Sequence, residues 1–193
     1  MKIPKLKYPE LYQWITEFKE KTKFKRKINL KYTNGKGVLG RVTVFGNIEL
    51  EKGFIKHFMS LQPNVVKFIL AHEFIHIFQE ELVSLHQILN SKSHRSVVLR
   101  HEMRANINGA ALTGLTNEEI REAQIQLWLY EGHKRKQLNY KSGYPSRMQI
   151  IKFVSKYNRY SDDVGYELLN DYYEVSGEVP SGQIKSIKPT KFF

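Results

Sequence analysis

The chain has 193 residues, is 41% hydrophobic and carries a formal charge of +12. Its length fits one domain and its apolar share supports an ordinary core. The absence of cysteine excludes disulfides, thiolate metal ligands and a cysteine nucleophile.

Lys2, Lys5 and Lys7 are followed by no apolar stretch, so no signal peptide is expected. Much of the positive charge comes early, in Lys19, Lys21, Lys23, Lys25, Arg26, Lys27 and Lys31. Such a run suits contact with nucleic acid or another acidic partner, or simply a solvated surface. It lacks the aromatic interleaving of a base-stacking platform.

Pro9 opens a helix with Leu11, Trp14, Ile15 and Phe18 on one face, running to about Lys21. Lys27 to Thr33 alternates around Ile28, Leu30 and Tyr32 and reads as a strand. Asn34 to Gly37 is a turn, and Val38 to Leu50 is rich in β-formers. Gly46-Asn47 fits either a hairpin turn or a bulge. Gly53 to Leu61 is a short helix or loop. Pro63-Asn64 starts a helix that continues to about Asn90. Ser91 to Ser93 is a break, and a further helix covers about Arg95 to Leu112. Thr116-Asn117-Glu118-Glu119 starts the next helix, which ends near Tyr130. Further helices are expected after Pro145 and after Ser161-Asp162-Asp163. The expected whole is one domain over 1–175, helical from about 116, with a flexible basic tail over 176–193.

The longest apolar run, Val65 to Leu89, contains His72-Glu73-Phe74-Ile75-His76. Lys67 and these three ionisable groups interrupt it, so no membrane span is expected and a cytoplasmic location is the default. On a helix, His72 and His76 lie one turn apart on the same face. Two imidazoles at that spacing can hold one Zn²⁺, and Glu73 beside the metal can take a proton from an attacking water. The alternative is an amphipathic helix with two ordinary histidines. The neighbours Phe68, Ile69, Leu70, Ala71, Phe74, Ile75, Ile77 and Phe78 cover nearly the whole circumference. Three ionisable groups on so buried a helix need partners, and a metal supplies one.

A catalytic zinc takes a third protein ligand. One large metalloprotease group has it six residues after the second histidine, but that position is Leu82, and Gln79 stands where that group has glycine. His94, His101 and Glu102 remain. Glu102 precedes Ala105, Asn106, Gly109, Ala110 and Ala111, small residues that let one helix approach another closely. Asn106, one turn on, could hydrogen-bond the free ring nitrogen of a ligand histidine.

Leu70-Ala71-His72-Glu73-Phe74-Ile75-His76, followed by Glu102-Met103-Arg104-Ala105-Asn106, resembles the ImmA/IrrE family of gluzincin metallopeptidases. The match covers roughly Val38 to Leu112. It departs from the family at Ile75, where glycine is common, and at Arg104, where an acidic residue is frequent. The resemblance implies an α+β, zincin-like fold, with a small N-terminal sheet packed on the His-Glu helix and a mostly helical C-terminal part. It implies zinc on His72, His76 and Glu102, Glu73 as general base and Asn106 as a supporting partner. It also implies a protein substrate, such as a repressor or other regulator, lying along the sheet edge in Arg41 to Leu50.

A second resemblance is to SprT/Spartan-type proteases, which would take His94 as third ligand and whose DNA association suits the basic charge. Arg95 replaces the glycine expected after that histidine, and a cysteine-based zinc ribbon is impossible here. The reading from another class is a basic module for nucleic acid or protein, with a structural or vestigial zinc site. For a peptidase, an oxyanion donor is also required; Tyr130, His133, Tyr140 and Tyr144 are the candidates.

Overall fold

The computed structural model describes residues 1–33, 38–43, 45–78, 94–132, 147 and 150. Within them the chain is α+β and mostly helical, with three strands and five helices. The turn at 34–37, the break at 91–93 and nearly all of the C-terminal third lie outside the described residues.

Helix α1 is Pro9–Thr22. Pro9 pre-sets the first turn, Glu10 sits at the positive end of the helix dipole, and Lys19 and Lys21 sit at the negative end. Leu11, Ile15 and Phe18 form its buried stripe. Lys23 closes it in the left-handed region at φ 56°.

The sheet comprises β1 (Leu30–Thr33), β2 (Gly40–Val42) and β3 (Ile48–Glu51), in the order β1-β3-β2. β1 is shorter than the alternation of 27–33 predicts. β1 runs parallel to β3, with Leu30 opposite Ile48, and β2 runs antiparallel to it, with Arg41 opposite Glu49. Gly46 N–H donates to Thr43 O, Thr43 N–H donates to Asn47 O and Gly46 has φ +69°, so β2 and β3 are joined by a hairpin turn that ends in a glycine bulge; turn and bulge occur together.

The two sheet edges differ. Along β1, Ile3 N–H donates to Leu30 O at 3.1 Å and Tyr32 N–H donates to Met1 O at 2.8 Å, so the N-terminal residues cover that side. Tyr12 Oη donates to Ile3 O and pins the segment down. Along β2, Glu51 N–H donates to Leu39 O and Thr43 N–H donates to Asn47 O. With Arg41 opposite Glu49, those contacts fix the alternation of the ladder. The main-chain groups of Gly40 and Val42 therefore face away from β3, on an edge that no described strand covers.

Helix α2 (Lys52–Leu61) follows β3 directly, capped by the Glu51 carboxylate, which accepts from Gly53 and Phe54 N–H. Helix α3 (Pro63–Phe78) is the centre of the core. Val65, Val66, Phe68, Ile69, Leu70, Ala71, Phe74, Ile75 and Ile77 are all buried on it. It touches α1, α2, β2, β3 and both following helices, as expected for a helix apolar around its whole circumference. Helix α4 (His94–Thr113) packs along it most extensively. Helix α5 (Asn117–Tyr130) starts on a capping box: Thr116 Oγ1 accepts from Glu119 N–H, and the Glu119 carboxylate accepts from Thr116 N–H. Arg147 and Ile150 are helical and buried. Arg147 makes a two-point contact with Glu131 and donates to Gln124 on α5. No described helix is long and apolar enough to cross a membrane.

Candidate metal centre

Helical spacing places His72 and His76 on one side of α3 with their rings 4.8 Å apart. That side faces α4, which brings Glu102. The two Nε2 atoms are 3.1 Å apart. His72 Nε2 lies 3.4 Å from Glu102 Oε2, and His76 Nε2 lies 3.7 Å from Glu102 Oε1. Two histidines and a carboxylate from separate parts of the chain thus converge on one point, and among the described residues they are the group able to hold a metal ion.

The spacing tests which ion would fit. Ligand atoms about 2.0–2.1 Å from a tetrahedral zinc lie about 3.3–3.4 Å from one another. The observed separations of 3.1, 3.4 and 3.7 Å bracket that edge. Borderline nitrogen donors with one carboxylate suit zinc better than the hard, all-oxygen shells of calcium or magnesium. Three protein donors leave a fourth position for water or substrate.

The approach of the helices depends on Gly109. A Cβ built there would stand 3.0 Å from the His72 main-chain nitrogen and 3.1 Å from its Cα. A side chain there would require the α3 backbone to give by a few tenths of an ångström, so glycine suits this close approach of α4 to α3, and Glu102 rides on the same helix two turns earlier. Ala105 and Ala110 are buried beside it. The small-residue stripe predicted over 105–111 therefore does pack against α3.

Glu73 is buried, with 8% of its surface exposed. It sits against β2: a Cβ on Gly40 would come within 2.9 Å of Glu73 Oε1 and 3.0 Å of its Cγ. Burial pushes the Glu73 carboxyl above its ordinary range; His72 and His76 pull it back, and Glu102 adds to the rise. The sequence reading missed this contact with Gly40. A glycine inside a strand is the signal that marks such an approach.

The other predicted site residues are placed as follows. Asn106 is buried, and its amide donates to the Glu102 main-chain oxygen at 2.8 Å. Its acceptor is the carbonyl one turn back, the one nearest a helical Asn. Asn106 thus braces the turn that carries Glu102. His101 is buried on α4 but is not one of the converging donors. His94 starts α4, and its side chain lies outside the described residues, as do His133, Tyr140 and Tyr144. Tyr130 belongs to a cluster with Phe54, His57 and Phe58, and its hydroxyl meets Glu51 Oε2 at 3.5 Å. Burial, and then Glu51, raise its pKa. No protein-family model, curated protein or solved structure matches the chain.

Proposed function

We propose that the chain is a zinc-dependent endopeptidase of zincin-like fold that hydrolyses a peptide bond in a protein substrate. The observation that carries this reading is the convergence of His72, His76 and Glu102 beside the buried carboxylate of Glu73. His72, His76 and Glu102 would hold the metal. Zinc, when bound, makes water a stronger acid and polarises a carbonyl. Glu73 would take the proton of the attacking water and deliver it to the leaving amine. Its position between α3 and Gly40 holds it in one place for both transfers.

The outward main-chain groups of Gly40 and Val42 support an extended peptide as substrate. A peptide laid along that edge would form ladder hydrogen bonds and bring its backbone past Glu73. By the resemblance to the ImmA/IrrE family, the substrate would be a regulatory protein such as a repressor.

Elemental analysis of wild type, Glu102→Ala and His94→Ala tests the ligand set. About one zinc per chain in wild type and His94→Ala, with loss in Glu102→Ala, is expected. Loss in His94→Ala instead would shift the third ligand to the SprT-like arrangement. A peptide-library digest then tests the chemistry: Glu73→Gln should keep its zinc and lose about 10²- to 10⁴-fold in cleavage rate. Full cleavage by that variant would refute the role of Glu73.

A further inference from the structure

Four cations stand close together on the connection between α1 and β1: Lys23, Lys25, Arg26 and Lys27, all exposed. Between and after them, Phe24 and Ile28 turn inward and pack against the core. Phe24 meets Phe74 and Phe78 of α3 edge-on, with ring centroids 5.7 and 6.2 Å away. These two anchors hold the segment down and leave its charges facing water. Among the described residues, none of the four cations has an acidic partner.

The β2–β3 turn lies against this segment. Asn29 Nδ2 donates to Asn47 Oδ1 at 3.0 Å, and Ile48 N–H donates to Asn29 O at 3.0 Å. Arg26 reaches Gly46, where a Cβ would stand 3.5 Å from Nη2. The residue before that glycine is Phe45, which is 84% exposed. Leaving a phenyl ring in water is unfavourable. The fold thus supplies the aromatic group that the basic run lacks in sequence, one residue before the glycine that Arg26 reaches.

We propose that the α1–β1 connection and the tip of the β2–β3 turn form a binding surface for single-stranded nucleic acid. Phosphates would lie along Lys23, Lys25, Arg26 and Lys27, and an unpaired base would stack on Phe45 with Arg26 beside it. One flat ring among cations suits a base with its own π face better than a bilayer, which takes up clusters of apolar side chains. The proposal is independent of the peptidase reading, because none of these residues is hydrogen-bonded or ion-paired to His72, His76 or Glu102.

The test is fluorescence anisotropy of a labelled oligothymidylate of about 15 nucleotides, titrated with the full chain at several salt concentrations. Wild type should bind, with a slope of log affinity against log salt near about −3 if all four cations engage phosphates. Phe45→Ala should weaken binding about 5- to 100-fold and leave that slope unchanged. The triple variant Lys25→Glu, Arg26→Glu, Lys27→Glu should abolish binding. Far-UV circular dichroism confirms that each variant is folded, as substitutions at exposed positions should be. Three results would overturn the proposal: no binding by wild type at low salt, binding unaffected by either variant, or capture by anionic phospholipid vesicles that depends on Phe45 while oligonucleotide binding does not.

Discussion

Gly40 of β2 and Glu73 of α3 occupy one another's space: a methyl on the glycine would stand 2.9 Å from Oε1 of the carboxylate. Ile69 Cγ2 closes the other side at 3.0 Å. Ile69 belongs to the packed core, so the carboxylate is the group that would give way. Gly40→Ala should therefore keep its zinc and lose peptide cleavage by at least about 10-fold, mainly in kcat. Stability should fall by about 1–3 kcal/mol. Zinc content and steady-state kinetics on one preparation check this, and wild-type turnover in the variant would show that Glu73 does not rely on the strand.

Gly109 presents two opposing effects. Alanine in mid-helix is normally favoured over glycine by about 1 kcal/mol. Here its methyl would meet His72 main-chain atoms at 3.0 and 3.1 Å, and a backbone cannot swing aside as a side chain can. Overpacking costs about 1–3 kcal/mol, so the clash should win. Gly109→Ala should lower the melting temperature and weaken zinc binding, because α4 carries Glu102. A zinc-chelator competition reads the second effect. A more stable variant with unchanged zinc affinity would mean that the helices have slack.

Zinc should stabilise the fold through the same three donors. A metal that binds only the folded chain adds about 4 kcal/mol when present at about 1,000 times its dissociation constant. For a chain of this size that is about 8–16 °C in melting temperature. Scanning calorimetry with and without chelator should show such a drop in wild type and almost none in Glu102→Ala. Equal drops in both would place the metal elsewhere.

The capping box gives α5 a pH-dependent start. Hydrogen bonds from Thr116, backbone first and side chain second, hold the Glu119 carboxyl below its ordinary value; Asn64 and Lys67 add to this. A carboxyl depressed in the folded state stabilises the fold above its unfolded value near 4.5, and that contribution is lost as pH falls. Glu119→Gln should thus be less stable than wild type at pH 7, and the gap should close at lower pH. Glu119 is exposed, so the gap should be well under the roughly 1 kcal/mol expected for Thr116→Ala. Urea titrations at several pH values measure it; a gap that widens in acid would reverse the assignment.

Helix periodicity made the centre of this protein legible. The spans of α1, α4 and α5 and the start of α3 follow from Pro9, Pro63, Thr116 and the apolar spacing, because those signals are local. His72 and His76 needed only the pitch of a helix. Glu102 could be named from its small neighbours, since glycine and alanine act by what they omit. The strands were less legible: β1 keeps only half of the alternating stretch, because pairing with β3 sets its length. Gly40 against Glu73 and Arg26 against Gly46 are contacts between segments distant in sequence, and neither side alone announces its partner. The bond from Asn106 to the Glu102 carbonyl was not legible, since periodicity gives direction but not which atom lies within 3 Å.

The N-terminal residues have a consequence beyond the site they frame. Because Met1 and Ile3 occupy the outer side of β1, the sheet can accept a new strand on one flank alone among the described residues. A sheet open on both flanks can serve as a repeating unit and build a fibre without limit. One open on a single flank terminates after one addition. Two copies meeting through β2 would use up both openings and stop at a pair. The few residues ahead of α1 thus act as an end-piece against polymerisation, leaving the other flank available.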